Sequence, residues 1–152
     1  MQPHKKRLKH RRLGVMLAVE LVMVLPVLLI VLLAFVEFGI LLMASQGVGA
    51  SASLAAREAA LASSTEASLV AAAEGALEGW VWKGKHEVVI FVNGAKVDLN
   101  DANDDLQSAA TASEISVTIN VPMTQAAPDL LRYFGLSLAG KDLTATYVTR
   151  KE

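Results

Sequence analysis

The chain contains no cysteine, only 4 prolines in 152 residues, and 5% aromatic residues. Without cysteine there is no disulfide framework, which excludes a stapled secreted miniprotein. Ten glycines and four prolines exclude a collagen-like repeat. With aromatics this scarce, the 53% hydrophobic content is mostly alanine, valine and leucine. That content excludes a disordered chain. Charge is also missing where hydrophobicity is concentrated: from Val15 to Val36, Glu20 is the single charged residue. A soluble enzyme spreads its core over many segments, whereas much of the apolar content here lies between Val15 and Ala44.

What is present is arranged unevenly. The formal net charge is −1, but residues 1–14 hold Lys5, Lys6, Arg7, Lys9, Arg11 and Arg12 and no acid. This leader carries +6, and the remainder, with 8 basic and 15 acidic residues, carries −7. Because the basic block abuts an apolar run directly, a membrane reading is favoured over a nucleic-acid one. Positive residues flanking an apolar segment stay on the cytoplasmic side.

Val15 to Val36 is 22 residues, which as a helix spans about 33 Å against about 30 Å of hydrocarbon. It is longer than a secretory h-region, and no clean small-x-small cleavage site follows it. The expectation is a retained single-pass transmembrane helix, with the amino terminus inside and the carboxyl-terminal domain outside. Pro26 falls within it, either as a simple kink or as a weak point for a helix that must be re-packed. Glu20 lies about 9 Å along the helix from Gly14. Either it is hydrated near the inner headgroups or it awaits a cation supplied on assembly. Glu37 stands near the outer boundary and reads as a solvated interfacial carboxylate.

After Phe38 the composition turns to small residues through Gly39, Gly47, Gly49 and Ser51, and Leu54 to Ala62 reads as helix. Gly47 and Ser51, four apart, share one helical face. Either these glycines loosen the chain or the face lines a helix–helix contact in an oligomer. Ser63 and Glu66 form a capping-box pattern opening a second helix from about Thr65 to Glu78, with Leu69, Ala72, Ala73, Ala76 and Leu77 as its stripe. Gly79 is placed to end it, and Trp80 and Trp82 to pack it on a sheet.

The period then falls to two. Glu87 to Val92 and Ala95 to Leu99 flank Asn93-Gly94, a hairpin signal. Glu114 to Val121 alternates, with Ile115, Val117, Ile119 and Val121 on one face, and Pro122 stops it. Lys141 to Arg150 reads as the final strand. The expected fold is α+β: a long amino-terminal transmembrane helix, an Ala-rich helical continuation, a second helix, and a small antiparallel sheet with one helix against it. The domains are a leader 1–14, a span 15–36, an extension 37–62 and an extracytoplasmic head 63–152.

Asp101, Asn103 and Asp105 match the first ligands of a calcium loop, but Leu106 and Ala112 stand where the glycine and the bidentate glutamate are required. A solvated loop leading into a short helix at Ser108 fits better. His4, His10 and His86 have no metal-ligand spacing, and no nucleophile elbow or phosphate loop occurs. The sequence predicts no enzyme, no metal and no cofactor.

Arg11-Arg12-Leu13-Gly14, then Ala18-Val19-Glu20, Pro26 and Glu37-Phe38-Gly39, continue through Gln46 and Ala55-Ala56-Arg57-Glu58-Ala59-Ala60. This series resembles a type IV prepilin signal and, more narrowly, the TadE-like pseudopilins of tight-adherence (Tad) pilus systems. Val117 to Pro122 and Leu143 to Thr146 also look like that family's closing strands. The resemblance implies cleavage between Gly14 and Val15 by a prepilin peptidase. It implies a Glu20 carboxylate that pairs with a neighbouring subunit's new amine, a bacterial inner-membrane location, and other pilins and the assembly platform as partners. Nucleic acid is not among them. This chain departs from the pattern in one respect: Glu20 stands sixth after Gly14 rather than fifth, and Leu21 rather than an aromatic follows it. One residue rotates a helix by about 100°.

Overall fold

The computed structural model describes residues 5–78, 86–99 and 105–152, with side chains from Ala18 onward. Gly79, Trp80, Trp82, Asp101 and Asn103 lie outside the described residues. The elements are α1 (Lys5–Ala60), α2 (Glu66–Leu77), β1 (Glu87–Val92), β2 (Ala95–Lys96), α3 (Asp105–Ser108), β3 (Glu114–Pro122), α4 (Met123–Ala126), a 3-10 turn (Leu131–Phe134) and β4 (Asp142–Arg150). The fold is α+β. Contacts divide the chain into two compact units, Met1–Val36 and Glu37–Glu152.

The first unit is the amino-terminal part of α1. A helix apolar on every side needs either a protein core or lipid around it. Leu21, Val22, Met23, Leu25, Val27, Leu28 and Phe35 are all more than half exposed. This stretch begins the one described helix long and apolar enough to cross a membrane; its most apolar 18-residue window has a mean hydropathy of 3.0 and is 0% buried. The helix runs through Pro26 without ending.

In the second unit, α1 becomes a core helix. Ala44, Val48, Ser51, Ala52, Ala55, Ala56 and Ala59 are buried at three- and four-residue spacing, which places them on one face. Side chains this small let α2 approach closely: Ser51 Oγ donates to the Ala73 carbonyl at 2.7 Å. The expectation of one helix against the sheet is therefore incomplete, because α1 and α2 both supply the core that covers it. From α2, Leu69, Ala73 and Leu77 are buried, while Ala72 and Ala76 are half-buried.

The N-cap of α2 is Thr65, not Ser63. Ser68 N donates to Thr65 Oγ1 and Thr65 N donates to Ser68 Oγ, each at 3.1 Å. Glu66 is unsuited to the reciprocal role because its Oε1 accepts from the Asp105 amide at 2.9 Å, at the start of α3. Ser108 Oγ closes that short helix by donating to Asp105 O at 3.2 Å.

The sheet is antiparallel in the order β2-β1-β3-β4. Asn93 (φ 50) and Gly94 (φ 83) adopt the left-handed conformations of a two-residue hairpin turn. Asn93 also binds outward, with Oδ1 accepting from Glu114 N at 2.9 Å and Nδ2 donating to Ser113 Oγ at 3.3 Å. The returning strand is shorter than its sequence pattern: Ala95 and Lys96 pair, Val97 N adds one bond to Ile90 O at 2.9 Å, and Val97 is buried in the core. Ile115, Val117, Ile119 and Val121 are all 0% exposed. Burying each contributes about 1.5–3 kcal/mol before entropy is counted. On the opposite face, Thr118 pairs with Thr146 and Thr144 donates to Asn120, each at 2.8 Å.

The end of β4 locks the unit. Glu152 N donates to Ala60 O at 2.8 Å, occupying a carbonyl at the end of α1. Lys151 is buried, with its ammonium donating to Leu106 O and its backbone bonded to Ala112 and Ser113.

Candidate functional site

The residues singled out by sequence fall on one element, α1, but in two environments. Gly14 and Val15 lie in its helical backbone. Gly14 weakens the helix there, since glycine lowers helix propensity by about 1 kcal/mol against alanine. Glu20 is exposed and has no partner among the described residues. Pro26 lies six residues on, on the same apolar stretch.

Glu37 is not the solvated carboxylate that its boundary position suggests. It is 4% exposed, and its Oε2 accepts from the amides of Leu130 at 2.8 Å and Leu131 at 2.9 Å. Those amides open the 3-10 turn: Leu130 N also donates to Pro128 O at 3.0 Å, whereas the Leu131 amide, at the first position of the turn, depends on Glu37. The buried carboxyl is tolerable because these hydrogen bonds replace water. Nothing in the local sequence indicates this partner, which lies 93 residues away.

Gly47 and Ser51 do share a face, and both are buried. That face is turned into the second unit's own core, with Ser51 bonded to α2. The glycines do not loosen the chain, because α1 is helical through Gly39, Gly47 and Gly49.

The residues that would build an enzyme site are less organised. His86 Nε2 lies 3.6 Å from Glu74 Oε1. A cavity of about 590 Å³ is lined by His86, Glu87, Lys96 and Asp98. The two tryptophans and Asp101 lie outside the described residues, and among the described ones no group of three or more acidic or histidine side chains is placed to hold a metal ion.

The family model described as TadE-like protein matches residues 16–61. Over that segment the sequence is similar to TadE-like proteins. No curated protein and no solved structure matches the chain. The TadE-like segment starts two residues after Gly14 and ends one residue beyond α1. It therefore includes Glu20, Pro26, Glu37, Gly47 and Ser51. The strands β3 and β4 lie outside it.

Proposed function

We propose that this protein is a single-pass, non-enzymatic minor pilin or pseudopilin that assists the assembly or initiation of a Tad-type pilus used in adhesion or secretion. The observation that carries this reading is the coincidence of the TadE-like match with α1, whose exposed apolar stretch contains one charge, Glu20. An unpaired carboxylate in the hydrocarbon costs about 2.5–3.5 kcal/mol on insertion scales. Pairing with an amine offsets that cost, and a buried charge is stable only when paired.

In this reading a prepilin peptidase cuts between Gly14 and Val15 at the cytoplasmic face of the inner membrane. Cleavage removes the +6 leader and creates the Val15 amine. The Glu20 of one subunit receives the amine of a neighbouring pilin, and the assembly platform moves the helix out of the bilayer. The second unit remains on the extracytoplasmic side, held by its own core.

The test compares Glu20→Gln with the unaltered protein in cells that make the pilus. Glu20→Gln removes the charge but keeps the shape, so membrane insertion persists while the amount in the sheared pilus fraction falls at least tenfold. An unchanged amount in that fraction contradicts the pairing. Absence of the unaltered protein from both the sheared fraction and purified pilus machinery favours a signal-anchored periplasmic module instead.

A further inference from the structure

Between α4 and β4 the chain makes an excursion, residues 128–140, that is ordered yet exposes large apolar side chains. Leu131 and Leu138 are buried and hold its two ends. Between them Tyr133 is 80%, Phe134 49% and Leu136 62% exposed. The loop is nonetheless closed by its own bonds. Gly135, at φ 84, donates to Arg132 O at 3.2 Å, and Leu136 N donates to Leu131 O at 3.3 Å. Ser137 Oγ donates to Asp129 Oδ2 at 2.8 Å and accepts from Ala139 N at 3.1 Å. An ordered loop with three adjacent exposed apolar side chains is the pattern of a contact surface.

Two observations indicate what it contacts. The first is position. The loop's opening amides are bonded to Glu37, and Glu37 immediately follows Val36, the last residue of the expected span 15–36. A helix that buries 15–36 in hydrocarbon carries Glu37 at the boundary, and two hydrogen bonds tie the start of the loop to that residue. The second is chemistry. Tyrosine, phenylalanine and leucine beside an arginine are the side chains of the lipid–water interface, where rings sit among headgroups and a guanidinium meets phosphate. The Arg132 guanidinium stands 5.0 Å from the Tyr133 ring centroid, so this pair offers a cation and an aromatic face together.

We propose that residues 132–136 are a membrane foot: Tyr133, Phe134 and Leu136 enter the headgroup region of the bilayer that α1 spans, and Arg132 binds lipid phosphate. The inference rests on the anchored reading of α1 and adds a second membrane contact, clamped through Glu37. The buried Glu37 carboxylate then has a purpose in positioning, because it fixes the foot to the residue where the span ends.

The chain has no native cysteine, so single cysteines can be labelled without background. An environment-sensitive NBD label is placed at Leu136→Cys, at Leu28→Cys in the span, and at the exposed sheet position Val148→Cys. Each full-length variant is reconstituted as one copy per nanodisc of 7:3 phosphatidylcholine and phosphatidylglycerol, with and without lipid carrying a nitroxide near the headgroup. The proposal expects blue-shifted emission at position 136 and at least threefold stronger nitroxide quenching there than at 148. Equal quenching at 136 and 148, with 28 blue-shifted into lipid, overturns the foot and leaves the anchor standing. A solvent-exposed label at 28 overturns the anchor and the foot with it. A blue shift at 136 that requires several copies per disc and is insensitive to the nitroxide assigns the loop to a second protein chain and also overturns the proposal.

Discussion

The Glu37 anchor makes a quantitative prediction. Glu37→Ala removes the acceptor of the buried Leu131 amide and one of two acceptors of the Leu130 amide, which also donates to Pro128 O. The unsatisfied Leu131 amide costs about 1–3 kcal/mol. Glu37→Gln keeps an acceptor oxygen in place and costs less. Local opening of the loop governs exchange of these amides. At about 1.4 kcal/mol per tenfold, Glu37→Ala accelerates exchange roughly 5- to 150-fold and Glu37→Gln by less. The assay is hydrogen exchange by mass spectrometry on a peptide covering 127–136, in the full chain reconstituted in lipid. The β3 peptide 114–121 serves as internal reference and stays protected. Exchange in Glu37→Ala within threefold of the unaltered protein refutes the anchor, as does Glu37→Gln behaving like Glu37→Ala.

Two further substitutions probe the second unit. Ser51→Ala loses one buried hydrogen bond to Ala73 and costs about 1 kcal/mol, whereas Ser51→Leu drives a large side chain into the α1–α2 contact and costs about 1–3 kcal/mol or more. Thermal melts followed by circular dichroism rank the two, and a tolerated leucine contradicts the close approach. Ala112 sits at φ 68, where a side chain is strained. Ala112→Gly therefore gains about 0.5–1 kcal/mol after glycine's entropy is counted, raising the melting temperature by a few degrees.

The parts of this fold that were legible in the sequence are those written in local patterns. Twenty-two nearly uncharged residues identify a candidate span because membrane thickness sets the length. Ile115, Val117, Ile119 and Val121 identify β3 because one face of a sheet is buried. Asn93-Gly94 identifies a hairpin because its backbone conformation requires those residues. The illegible parts depend on partners far along the chain. Small residues from Ala44 to Ala59 have the same composition whether they face another subunit or their own α2. The Ser63–Glu66 capping pattern is present, but Glu66 is engaged by Asp105 and the cap forms two residues on, at Thr65 and Ser68. Glu37 looked like a surface charge because its two amide donors are 93 and 94 residues away. Residues 123–140 have no period of two or 3.6, so neither the short turn nor its exposed apolar side chains stood out.

The split at residue 14, +6 before it and −7 after it, orients the span, and in the pilin account it also marks the point of processing. Processing also creates the amine that Glu20 requires, so the pilin account stands or falls on it. The decisive measurement is intact mass and amino-terminal sequence of the protein extracted from native membranes of cells carrying the prepilin peptidase. The account predicts a mature chain beginning at Val15, with the uncut chain accumulating when the peptidase gene is deleted. A chain that retains residues 1–14 in peptidase-positive cells contradicts it.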